Sequence, residues 1–114
     1  MSRATIMVLL LVFIQACTPE VDAGTASKSD WPAICDSAIT QLLLDLTQSE
    51  KDKIAAMKEN DLILLHHGFG TGIRNQFGLW GGNSALIKDC SGSKETHPDD
   101  VSMIIIERLW KKLQ

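Results

Sequence analysis

A row of polar side chains on one face of a predicted helix is the best candidate for a functional site. His67, Thr71 and Arg74 follow one another at spacings of four and three residues, and Asn75 lies at the margin of the row. Residues at these spacings share one face of an α-helix. An imidazole, a hydroxyl and a guanidinium group on one face can bind a ligand or a partner together.

Two other interpretations of this row stay open. The row is a solvated helix face, or Arg74 is held by a carboxylate such as Asp99 or Asp100. Exposed ion pairs of this kind contribute little to stability, and neither interpretation requires a ligand.

The histidines and glycines of this region do not predict a metal or a cofactor. His66 and His67 are adjacent, so on a helix their side chains diverge by about 100°, and no Cys or His lies three or four residues away to complete a ligand set. The run Gly68-Phe69-Gly70-Thr71-Gly72 follows no predicted strand, as a dinucleotide-binding loop would. We therefore expect neither a metal nor a cofactor.

No catalytic residue is predicted. The sequence contains no serine in a nucleophile elbow and no pair of carboxylates in a context that would separate their pKa values. Catalysis is therefore unsupported, although the polar row keeps it open.

The cysteines of the folded part predict a disulfide bond. Cys35 and Cys90 fall on the apolar faces of two predicted helices, and exported chains enter an oxidising compartment. Closing such a loop stabilises a fold by roughly 4 kcal/mol in the chain-entropy model. Two buried, reduced thiols are the alternative.

The amino terminus predicts export and lipidation. Arg3 precedes a short uncharged apolar run, and an eleven-residue helix of about 17 Å does not cross a hydrocarbon core of about 30 Å. The segment Ile14-Gln15-Ala16-Cys17 resembles a bacterial lipobox, which implies a signal peptide over residues 1–16 and a lipid on Cys17. Cleavage after Ala23 by an ordinary signal peptidase is the alternative.

These features place the protein in the bacterial cell envelope, held on a membrane and facing the periplasm. Residues 17–30 have almost nothing to bury and predict a flexible tether, which leaves residues 31–114 for one domain. Loss of Arg3 with the signal peptide takes the formal net charge from -3 to -4. Because the chain is mildly acidic and has no basic patch, we do not expect nucleic acid as a partner.

The domain is predicted to be all-α, with about five helices and no strand. Asp30 is expected to cap a first helix with Pro32 in its first turn, and Thr47 and Glu50 occupy capping-box positions before a short second helix. Asn83 is expected to cap a later helix. The closing helix begins after Thr96 or His97, and its wide apolar arc predicts a central packing element.

The glycine-rich centre is predicted to form one helix through its glycines. An apolar stripe continues in phase along it, formed by Leu62, Leu65, Phe69, Ile73, Phe77 and Trp80. We expect Gly68 and Gly72 to allow close approach of the closing helix, and Gly70 to lie away from that contact. The helix is expected to stop near Phe77 or Gly78, with left-handed backbone at Gly78, Gly81 and Gly82.

Two segments resemble a small bacterial family described only as a domain of unknown function. They are the Arg-Asn-x-x-Gly-Leu-Trp segment from Arg74 to Trp80 and the later His-Pro-Asp-Asp from His97 to Asp100. The similarity covers about residues 46–113. It implies a compact helical domain and no particular activity.

Two classes of function follow. The first is a non-catalytic protein-binding module on a lipid tether, which could block another periplasmic protein as immunity proteins do. The second is a small envelope enzyme that uses His67 and Arg74 on one helix face, and it requires a cleft around them.

Overall fold

The computed structural model describes residues 28–114, and Cys17, the predicted signal peptide and most of the predicted tether lie outside the described residues. The described part is all-helical and contains no strand. Its α-helices are α1 (Cys35–Asp45), α2 (Gln48–Ala55), α3 (Phe69–Gln76), α4 (Ser84–Ser91) and α5 (Pro98–Lys112). A first 3-10 helix, Lys28–Asp30, and a second, Glu59–Leu65, complete it. None of these helices has both the length and the apolar character needed to span a membrane.

Helix α5 is the central packing element, as its wide apolar arc predicts. It contacts each of the other four α-helices and the second 3-10 helix. Its inward side chains are fully buried, among them Val101, Ile105, Ile106 and Leu109. His97 caps the helix by accepting a hydrogen bond from the Asp99 backbone N–H, and Pro98 occupies the first turn.

The disulfide predicted between Cys35 and Cys90 is confirmed. It joins the start of α1 to the end of α4, with the two Cα atoms 5.1 Å apart and 55 residues apart in sequence. Both cysteines are buried, at 0% and 5% exposed. The cross-link therefore joins two helices that both pack against α5.

Two predicted caps are confirmed. Thr47 and Glu50 form the capping box of α2 with both reciprocal hydrogen bonds. The bond from the Thr47 backbone N–H to the Glu50 carboxylate is the main cause of a lowered pKa at Glu50. Asn83 caps α4 by accepting from the Leu86 backbone N–H.

The predicted start of the first helix is wrong. Asp30 is not its cap; α1 begins at Cys35, and the cap residue Ile34 is extended and provides no side-chain bond. Instead, the Cys35 backbone N–H donates to the Asp89 carboxylate at 2.7 Å. The Pro32 carbonyl accepts from the Asn83 side chain at 2.9 Å. Contacts with residues more than 50 positions away hold this entry segment out of the helix.

The predicted continuous central helix is also wrong. The second 3-10 helix ends at Leu65, turns cover residues 66–68, and α3 begins at Phe69. The α3 helix does end at Gln76 with Phe77 as its cap residue, close to the expected stop. Trp80, the last member of the predicted stripe, is 60% exposed.

The glycines after α3 divide into two kinds. Gly78 and Gly82 have positive φ angles of 67° and 97°, as predicted, whereas Gly81 does not have a positive φ. Gly81 instead lies under the Trp31 ring, where a Cβ would come within 2.8 Å of a ring carbon. At Gly78 the corresponding distance is 2.2 Å, so both glycines admit the indole that precedes α1.

Candidate functional site

Arg74 is buried in the domain instead of lying on a solvated face. Only 6% of the residue is exposed, because α3 turns this part of its surface toward the first turn of α5. Its side chain makes contacts with Thr71, Ser102, Asp99 and the backbone of His66. We call these five residues the Arg74 cluster.

Each nitrogen of the Arg74 guanidinium has an acceptor within the protein. Nη1 donates to the Ser102 hydroxyl at 2.9 Å, and Nη2 donates to the Thr71 hydroxyl at 2.9 Å and to the His66 carbonyl at 3.2 Å. Nε lies 3.4 Å from Oδ1 of Asp99. The interpretation of Arg74 as a residue held by Asp99 is thereby confirmed, and the bonds tie α3 to α5.

The two hydroxyls of the cluster also donate hydrogen bonds to backbone carbonyls. Ser102 donates to the Asp99 carbonyl at 2.8 Å, and Thr71 donates to the His67 carbonyl. Each hydroxyl thus accepts from Arg74 and donates its own proton elsewhere, which uses both capacities. The cluster is a connected network in which the charged group is satisfied inside the fold.

Two histidines lie beside the Asp99 carboxylate. Nε2 of His66 is 3.9 Å and Nδ1 of His97 is 3.7 Å from Oδ2 of Asp99. His97 also contacts Trp80 edge to face, with ring centroids 5.1 Å apart. Within the part of the chain that the structure describes, no group of three or more Cys, His, Asp or Glu is placed to hold a metal ion.

The structure separates the members of the predicted polar row. Thr71 and Arg74 are bonded to each other, whereas His67 is exposed and contributes its backbone carbonyl and an edge-to-face contact with His66, at 5.0 Å between centroids. Asn75 is exposed as well. The row therefore divides into a hydrogen-bonded pair, in which Arg74 is buried and Thr71 is exposed, and two exposed neighbours, His67 and Asn75.

Gly70, and not Gly68 or Gly72, is the glycine that close packing requires. A Cβ at Gly70 would lie 3.0 Å from Nη1 of Arg74 and 3.3 Å from the Leu65 carbonyl oxygen. A Cβ at Gly68 or Gly72 would meet nothing within 4 Å. The prediction for these glycines is thus reversed, because Gly70 faces the Arg74 cluster and α5.

The exposed aliphatic side chains of the second 3-10 helix were not predicted as a site. Ile63 is 58% and Leu64 is 74% exposed, and they are consecutive. A groove of about 300 Å³ runs between this helix and α5, lined by Glu59, Asn60, Leu62, Ile63, Met103, Ile104 and Glu107. We call it the Ile63 groove.

A sequence signal for this surface exists. Residues 62–65 are four large aliphatic residues in succession, and a helical element packed on one side buries only part of such a run. Leu62 is 3% exposed and Leu65 is half-buried, as the apolar stripe requires, which leaves Ile63 and Leu64 off the stripe. The pair is a candidate interaction surface because its two large side chains are consecutive, exposed and next to the Ile63 groove.

The described residues form a disulfide-linked bundle of short helices around one central helix, with the Arg74 cluster buried between α3 and α5. Residues 31–113 match the family model of a domain of unknown function, DUF6794, and the chain belongs to this family. The match includes α1 and Cys35, which the resemblance of residues 46–113 did not reach. No curated protein and no solved structure matches the chain.

Proposed function

We propose that this protein is a non-catalytic, protein-binding module of the bacterial cell envelope, tethered to a membrane through a lipid on Cys17. The observation that supports binding is the exposed pair Ile63 and Leu64 beside the Ile63 groove. Large aliphatic side chains at a groove can serve as anchors in a protein interface. Blocking a periplasmic protein, as immunity proteins do, is one role that such a module would fill.

The state of the polar side chains favours binding over catalysis. An enzyme that uses His67 and Arg74 needs the guanidinium to reach a substrate, and its nitrogens are 2.9 to 3.4 Å from acceptors within the fold. A binding module requires no such reach. The same bonds make the bundle more rigid, and rigid surfaces lose less entropy on binding.

Binding is tested by cross-linking in living cells with a matched pair of variants. Ile63→Ser/Leu64→Ser removes the proposed anchors, and Ile34→Ser/Leu44→Ser removes two aliphatic side chains that are 54% and 80% exposed elsewhere. We expect the wild type and the second variant to cross-link the same envelope protein, and the first variant to lose at least nine-tenths of it. Equal recovery by both variants would overturn the proposal.

The tether is tested separately by fractionation. The Cys17→Ser variant should appear in the soluble periplasmic fraction, because the lipid chains that hold the wild type on the membrane are absent. Membrane partitioning like that of the wild type would contradict the anchor and leave the binding surface unaffected.

A further inference from the structure

The Ile63 groove has an apolar floor of limited size. Leu62 is almost fully buried, Met103 and Ile104 are half-buried, and Ile63 forms an exposed edge. A volume of about 300 Å³ accommodates one large side chain and little more. The groove therefore suits a single anchoring residue of a partner better than a long apolar face.

Both ionisable residues that line the groove are carboxylates. Glu59 comes from the second 3-10 helix and Glu107 from α5, so each wall carries one negative charge. Lys111 lies 3.8 Å from Glu107 and offsets part of its charge, although solvent screens exposed pairs of this kind.

We propose that the partner inserts one large aliphatic or aromatic side chain into the Ile63 groove and places lysine or arginine residues on both sides of it. This inference rests on the proposed function and specifies the chemistry of the partner. The apolar floor supplies the area that is removed from water, and the two carboxylates select basic flanking residues.

Charge also distinguishes this occupant from two others. A second copy of the chain, joined through the same surface in a symmetric dimer, would bring its own Glu59 and Glu107 into the same interface, so that like charges would face one another. An anionic membrane surface would be repelled by the same carboxylates. A basic protein segment is the occupant that the rim attracts.

The test uses the full chain carrying Cys17→Ser and synthetic seven-residue peptides. The first peptide has a central leucine between two pairs of lysines; one control replaces the lysines with glutamates, and another replaces the leucine with glycine. Binding is followed by NMR of methyl groups, with Ile63, Met103 and Ile104 as reporters in the groove and Leu44 as a distant one.

We expect saturable shifts at the groove methyl groups with the lysine-leucine peptide, no change at Leu44, and at least tenfold weaker binding of both controls. The Glu59→Gln/Glu107→Gln variant should bind the lysine-leucine peptide at least fivefold more weakly. Equal binding of the glutamate peptide, or no shift with any peptide, would overturn the inference.

The failure of this inference and that of the proposed function give different results. If cross-linking depends on Ile63 and Leu64 but is unchanged in Glu59→Gln/Glu107→Gln, the module binds a partner and the basic flanks are wrong. If the cross-linked protein is recovered equally by the Ile63→Ser/Leu64→Ser variant, the proposed function itself is wrong.

Discussion

The Arg74 cluster and the Ile63 groove lie against the same helix and use their side chains in opposite ways. In the cluster, Arg74 and Ser102 are buried, and the polar groups are hydrogen-bonded or ion-paired to one another across α3 and α5. At the groove, aliphatic groups remain in contact with solvent although α5 lies beside them. The difference teaches that residue types suited to chemistry can serve only the fold, while the surface that we propose for a partner is formed by ordinary aliphatic residues.

The largest expected loss of stability comes from removing the Cys35–Cys90 disulfide, which lies outside both regions. The losses expected in the two regions are compared with it. Replacing the cross-link by Cys35→Ala/Cys90→Ala frees a loop between residues 55 positions apart, which should lower the free energy of unfolding by about 4 kcal/mol. Urea unfolding followed by circular dichroism measures this loss. A variant as stable as the wild type would show that helix packing alone holds α1 and α4.

The Arg74→Lys variant should show that the cluster holds the fold. A lysine keeps the charge but cannot reach Ser102, Thr71 and Asp99 at once, so we expect a loss of about 2 to 3 kcal/mol in the free energy of unfolding. Arg108→Lys is the matched control, because exposed Arg108 makes one bond of 3.3 Å to the Cys90 carbonyl. Equal losses in the two variants would remove the distinction between cluster and surface.

Replacing Gly70 or Gly72 by alanine should change the free energy of unfolding in opposite directions. Gly70→Ala places a Cβ against the Arg74 side chain and the Leu65 carbonyl, and we expect it to lower the free energy of unfolding by about 1 to 2 kcal/mol. Gly72→Ala meets open space in the same helix and should raise it by up to about 1 kcal/mol, through helix propensity. Thermal melts of both proteins check the signs, and stabilisation by Gly70→Ala would refute the close contact.

The features that the sequence predicted correctly depend on residues close together in the chain. The capping box of Thr47 and Glu50, the Asn83 cap and the wide apolar arc of α5 are local patterns, and all three are present. The disulfide could also be predicted, because both cysteines lie on apolar faces of their helices. These features require no knowledge of which helices become neighbours.

The errors arose where distant parts of the chain meet. The start of α1 is set by Asp89 and Asn83, and the environment of Gly70 is set by Arg74 together with α5. The spacing of the apolar residues continues in helical phase through residues 66–68, but these residues form turns between the second 3-10 helix and α3. For the same reason the polar row indicated that Thr71 and Arg74 are neighbours but not that Arg74 is buried.

The central claim, that Ile63 and Leu64 form a free surface while the Arg74 cluster holds the fold, is tested most directly by the urea unfolding of the Ile63→Ser/Leu64→Ser variant. Because both side chains are more than half exposed, we expect its free energy of unfolding to lie within about 1 kcal/mol of the wild type. A loss of about 2 kcal/mol or more, as expected for Arg74→Lys, would show that these side chains pack within the fold and would contradict the account.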